Sequence, residues 1–152
     1  MIERKGEGML SVDPGTKDMG WALWQGDRMA RCGIARGKDW IEAVLNMPPL
    51  TVGQIFIEDQ QIYRNSRINA HSLLSVARVV GAVVFYYNAP LTVLVLPRAW
   101  KGQLPKEVCG RRTISKLDPA EQVVLGKTNY AKSIRHNLID AIGIGLWGLG
   151  RR

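Results

Sequence analysis

The segment Ser11-Val12-Asp13-Pro14-Gly15-Thr16-Lys17-Asp18-Met19-Gly20-Trp21-Ala22-Leu23-Trp24 constrains the fold more than any other part of the chain. Two apolar runs flank a Pro-Gly pair, and such pairs close tight turns because proline presets φ while glycine accepts conformations that other residues avoid. The segment predicts a strand over Met9 to Val12 and a return strand over Trp21 to Gln25, with Asp13 held on rigid backbone at the turn. Arg28 to Ala35 extends the pair to a meander of three antiparallel strands.

Beyond the meander the pattern alternates. Asp39 to Asn46 has helical spacing at Trp40, Ala43 and Val44, with Asp39 as N-cap and Pro48-Pro49 as a stop. Gln54 to Ile57 is a short, uniformly apolar strand of the buried kind, and Glu58 leaves it. A polar loop over Asp59 to Asn65 precedes a long helix from about Arg67 to Tyr87, which Pro90 ends. Leu91 to Leu96 reads as a second buried strand, Trp100 to Lys106 as a loop and Glu107 to Leu117 as a helix. Asp118-Pro119 opens a further turn, and a last helix runs from about Ser133 to Leu149. Three antiparallel strands followed by alternating helix and strand give an α/β fold: a mixed central sheet flanked by helices. A length of 152 residues suits a single domain over residues 1–152.

Charge narrows the partners. Twenty-one Lys and Arg against 13 Asp and Glu give a net charge of +8, which favours an anionic partner. Basic residues gather at Arg98-Lys101-Lys106, at Arg111-Arg112-Lys116 and at Lys127-Lys132-Arg135. The longest apolar run, Val79 to Tyr87, falls short of the roughly 20 residues of a membrane span. Residues 1–8 are charged, without the apolar region of a signal peptide. A cytoplasmic protein with no membrane association is expected. Two cysteines, Cys32 and Cys109, form neither a disulfide framework nor a zinc pattern.

The acids are few, and three sit where a site would use them. Asp13 and Glu58 each end an apolar strand, and Asp140 lies among Leu138, Ile139, Ile142 and Ile144, where an unpaired charge is costly. Each has a plainer reading. Asp13 shapes an Asx-type turn, and Glu58 or Asp59 is simply the first polar residue after a strand. The apolar run leads directly to Glu58, which favours it over Asp59. His136 precedes Asp140 by four residues, so the two share a helix face, and Asn137 lies at the three-residue spacing. Oxygen donors on separate rigid elements suit Mg²⁺ or Mn²⁺, and a pair of such ions can hydrolyse a phosphodiester. Gly143, Gly145 and Gly148 imply close packing of the last helix, since glycine otherwise weakens a helix. Trp100, in a basic loop, is a candidate for stacking on a base.

Taken together, these segments resemble the RuvC-type Holliday-junction resolvases of the ribonuclease H-like superfamily, in their compact phage-encoded form. Val12-Asp13-Pro14-Gly15-Thr16 with Gly20-Trp21-Ala22 is similar to the first-strand motif, and Ile57-Glu58-Asp59-Gln60 to the second acidic motif. Arg64-Asn65-Ser66 and Leu73 to Ala82 resemble the long helix that follows, and Asn137 to Gly145 the acidic motif of the last helix. The resemblance implies a ribonuclease H-like fold in which Asp13, Glu58 and Asp140 hold two Mg²⁺ ions, with Mn²⁺ as a substitute. The family's fourth position, often Asp or His, falls on Asn137 here, while His136 is one residue earlier; either fills it.

The activity implied is structure-selective cleavage of four-way and other branched DNA, leaving 5′-phosphate and 3′-hydroxyl ends. The cell is then bacterial or phage-infected. Paired cuts imply a homodimer, for which the helix around residues 67–87 is the candidate interface. Arg64, Arg67, Arg98, Lys101, Lys106, Arg111 and Arg112 are the candidate phosphate contacts. Rival readings are a YqgF-like nuclease acting on RNA and a non-catalytic junction-binding protein. An actin-like phosphotransferase needs two lobes, for which the chain is too short.

Overall fold

A computed structural model describes residues 8–62 and 69–151. Strands β1 (Gly8–Asp13), β2 (Asp18–Gln25), β3 (Arg28–Arg36), β4 (Gln54–Glu58) and β5 (Leu91–Val95) form one sheet in the order β3-β2-β1-β4-β5. The β1–β2 and β2–β3 pairs are antiparallel, and β1–β4 and β4–β5 are parallel. The helices are α1 (Trp40–Leu45), α2 (Ala70–Tyr87), α3 (Pro97–Trp100), α4 (Lys106–Ser115), α5 (Pro119–Gly126) and α6 (Lys132–Gly148). The α/β architecture expected from the sequence is present.

Strand alternation divides the core into two layers. Leu10, Val12, Ile55 and Ile57 face α1 and α2, where they meet Val44, Val79, Val80 and Val83. Met9, Trp24, Phe56 and Val95 face the opposite way, towards Leu138, Ile142 and Leu146 of α6. Glycines let α6 lie close. A Cβ on Gly145 would overlap the Trp24 indole, and one on Gly148 would press on the Phe56 ring. Trp24 in turn donates from Nε1 to the buried Ser11 hydroxyl at 2.9 Å, so the polar end of the indole is satisfied beneath α6.

Several elements depart from the sequence expectation. The start expected for α2 at Arg67, together with Arg64, lies outside the described residues; α2 begins at Ala70, where Asn69 accepts from the His71 N–H at 2.9 Å. It ends at Asn88 in left-handed conformation (φ 44°), two residues before Pro90. β5 is an edge strand with Leu91 and Leu94 exposed, not a buried one. Pro97 to Trp100 forms a short helix, and Asp118-Pro119 opens α5, where only a turn was expected. Asp118 and Glu121 make a reciprocal capping box there.

By length and composition α2 is able to cross a membrane. Its Val79, Val80, Val83 and Tyr87 are instead buried in the core under the sheet. At the other edge of the sheet, β3 is covered by side chains. The Met29 N–H donates to Glu121 Oε1 at 2.9 Å and the Ile34 N–H to the Tyr130 hydroxyl at 3.0 Å.

Candidate active site

Strand alternation places the first two acids. Asp13 has the parity of Met9 and Ser11, and Glu58 that of Phe56, so both point to the α6 side of the sheet. Val12 pairs with Ile57 across the parallel β1–β4 ladder. One step further on, Asp13 and Glu58 stand side by side at the carboxyl ends of neighbouring strands, about 5 Å apart in the strand-to-strand direction. Asp59 has the opposite parity and is tied to the Val95 carbonyl through its N–H at 2.8 Å. Glu58 is the acid that faces the site.

Gly20 brings in the third acid. It pairs with Asp13 in the β1–β2 ladder, and the Asn137 carbonyl occupies the place a Cβ on Gly20 would take. α6 is thereby seated on β2 at Asn137, and Asp140, three residues on, comes over the ends of β1 and β4. The electrostatics record the convergence. Asp13 is held well above the usual carboxylate range, by burial first and then by the charges of Asp140 and Glu58, with Lys101 and Lys106 in opposition. Asp140 is also raised by burial; Lys101 counters this, Glu58 adds to it, and Lys106 and His136 oppose.

Lys101 is the counter-ion. Its ammonium lies 3.5 Å from Glu58 Oε2 and 5.0 Å from the Trp100 ring centroid. Burial works against its charge, yet Glu58, Asp140 and Asp13 together raise it above the ordinary lysine value. Trp100 Nε1 donates to the same Glu58 oxygen at 2.7 Å, and its ring rests against Gly143. The indole is therefore committed to building the site rather than free to stack on a base, a role its sequence position gave no sign of. With Glu58 turned towards these two partners, no group of three His, Cys, Asp or Glu side chains among the described residues is drawn together tightly enough to enclose an ion.

His136 lines a cavity between α4 and α6 together with Asp140, as the four-residue spacing requires. Asn137 is held through its main chain against Gly20, at the base of the same helix turn. Of the expected phosphate contacts, Lys106 and Arg111 line the α4–α6 cavity and Arg112 lines a second one, while Arg98 is exposed on α3. Lys116, Lys132 and Arg135 join the cavity walls without having been singled out, although each belongs to a basic cluster visible in the sequence.

No protein-family model and none of the curated proteins matches the sequence. Solved structures do match. RuvC of Thermus thermophilus, also solved in complex with a Holliday junction substrate, superposes with TM-score 0.51 at 17% identity; in the structure without substrate the match covers 91% of each chain. The fowlpox virus Holliday junction resolvase gives 0.62 at 14% identity, covering 94% of this chain and 98% of its own. The yeast mitochondrial Holliday junction resolvase gives 0.56 at 10% identity, covering 99% and 83%. The fold is that of the ribonuclease H-like resolvases, as the sequence motifs led one to expect. Within it, the structural neighbours are RuvC and other Holliday junction resolvases.

Proposed function

We propose that the protein is a metal-dependent, structure-selective DNA endonuclease that resolves four-way and other branched DNA. The observation that carries this reading is the convergence of Asp13, Glu58 and Asp140 at the strand ends, with Asp140 and Glu58 acting on the charge of Asp13, Glu58 on that of Asp140, and Lys101 paired to Glu58. Phosphate is the natural substrate for such a site inside a chain of net charge +8.

The donor chemistry suits hard divalent cations: three carboxylates on separate rigid elements, with Asp13 and Asp140 desolvated, although Glu58 has to leave Trp100 and Lys101 before all three enclose an ion. Asp13, Glu58 and Asp140 would hold two Mg²⁺ ions, or Mn²⁺ in their place, with His136 in the fourth position. His136 is favoured over Asn137 because it shares the cavity wall with Asp140 and bears on its charge, whereas Asn137 does not line that wall. When bound, such ions supply Lewis acidity for water activation and for the leaving oxygen.

The chain's own groups do the rest. His136 holds the attacking water on the Asp140 side, and Lys101 and Lys106 draw the scissile phosphate towards the acids. Water attacks phosphorus in line and the bridging bond to the 3′ oxygen breaks, leaving a 5′-phosphate and a 3′-hydroxyl. Two matched cuts call for two sites. On α2, Leu74 and Phe85 are 55% and 87% exposed and fall on one stripe, with Gly81 between them facing open space. That stripe is the homodimer interface in this reading, and the protein works in the cytoplasm of a bacterial or phage-infected cell.

The test is cleavage of a synthetic four-way junction, a flap and an RNA duplex, with Mg²⁺ and with EDTA. Junction cutting that requires Mg²⁺ and disappears in Asp13→Asn, with binding retained, is the expected result. Full activity in Asp13→Asn overturns the site assignment. Cutting of RNA alone points to the YqgF-like activity, and binding without cutting in either Mg²⁺ or Mn²⁺ to a non-catalytic junction protein.

A further inference from the structure

Helix α4 stands between two cavities with basic walls, one walled in part by Asp140 and the other ending at residues that contact Glu58. On one flank a cavity of about 520 Å³ runs between α4 and α6, carries Lys106, Arg111, Lys132 and Arg135, and includes Asp140 in its wall. On the other flank a cavity of about 350 Å³ carries Arg112 and Lys116 and ends at Trp100 and Lys101, the pair that grips Glu58. Arg151 also borders this second cavity, but its guanidinium is committed to Glu121.

The arrangement follows from the helix itself. Cys109 and Thr113 form the buried seam of α4. At about 100° per residue, Arg111 stands on the crest opposite this seam and Arg112 on one flank, while Lys106 and Lys116 lie to either side of the seam at the two ends. None of these four, nor Lys132 or Arg135, is held in an ion pair among the described residues. Six cations without an ion pair among the described residues, divided between a cavity walled by Asp140 and one that ends at Trp100 and Lys101 against Glu58, suit two polyanionic strands better than one.

We infer that α4 is a strand-parting ridge: the two backbones that diverge at a branch point run one down each flank, and the scissile phosphate lies at the acids beside the ridge. The inference rests on the junction-nuclease reading of the site and adds the source of its selectivity. In a linear duplex the two backbones stay wound together, so one duplex fills one flank at a time; only separating strands fill both. The rival arrangement has α4 lying in a major groove, which is wide enough for a helix and would put phosphates on both flanks of an unbranched duplex.

Paired substitutions decide between the two. Lys132→Ala with Arg135→Ala strips one flank, and Arg112→Ala with Lys116→Ala strips the other. All four residues are outside the set assigned to hold metal or water. Binding of the full chain is measured in EDTA, where nothing is cut, on a four-way junction and on a linear duplex of equal length, with circular dichroism to confirm folding. Each pair should weaken junction binding roughly 10-fold and lower the salt dependence by about two counterions. The same pairs should change linear-duplex binding by less than about 2-fold. Equal losses on both substrates overturn the inference in favour of groove insertion, and a pair without effect on the junction overturns it outright. Failure of the nuclease reading appears separately, as wild-type protein that binds these substrates and never cuts them in Mg²⁺.

Discussion

Replacing Glu121 by glutamine tests the energetics of the helical layer against the sheet. The side chain is 1% exposed and its two oxygens accept four hydrogen bonds: from the Met29 and Asp118 N–H groups at 2.9 Å each, and from Arg151 at 2.6 and 2.8 Å. Although burial works against the charge, the Arg151 hydrogen bonds and those from the two N–H groups lower the carboxyl from 4.5 to about 2. At about 1.4 kcal/mol per pKa unit, that difference is worth about 3 kcal/mol of folding free energy. Because the folded group titrates below its unfolded value, the contribution is complete above about pH 4.5 and fades as the pH falls towards 2. Glutamine keeps the shape but loses the charge. Urea unfolding at pH 7 should therefore show Glu121→Gln about 3 kcal/mol less stable, with a melting temperature roughly 6–12 °C lower. The gap between variant and wild type should close as pH drops from 4.5 to 2. A loss under about 1 kcal/mol at pH 7, or a gap that stays constant down to pH 2, refutes the reasoning.

Two further outcomes are expected. Gly20→Ala puts a methyl group where the Asn137 carbonyl sits, so α6 must lift from β2 and carry Asp140 away from Asp13. Junction cleavage should fall more than 10-fold with a stability loss of about 1–3 kcal/mol; unchanged cleavage shows that the acids do not depend on this contact. Phe85→Glu places a charge on the exposed stripe of α2, and sedimentation should show a monomer with an unaltered circular dichroism spectrum. A dimer that survives this change uses another surface.

The parts of the fold legible in the sequence were those where burial wrote a local pattern. β4 is a continuous apolar run because helices cover both faces of the strand, and that run pointed directly at Glu58. The meander was legible from Pro14-Gly15 and its flanking strands, and the glycines of α6 announced its close seat on the sheet. Elements whose stability comes from distant partners were obscure. α5 is short, and although Asp118 and Glu121 have capping-box spacing, the partners that fix Glu121 are Met29 and Arg151, distant in sequence. β5 has the apolar content of a buried strand but lies at the sheet edge, a matter of strand order that no local pattern encodes. The positions of Asp13, Glu58 and Asp140 were readable one by one. The commitment of Trp100 and Lys101 to Glu58 was not, because the direction of residues at the end of so short a helix depends on what packs behind them, here Gly143.

The side chains of Glu121 and Tyr130 have a bearing on which margin of the sheet can take up another strand. By occupying amides of β3 they close one margin of the sheet to newcomers, while β5, at the other margin, pairs with no further strand among the described residues. A sheet with one margin capped in this way offers strand addition a single site, so pairing there ends with two molecules instead of a growing stack.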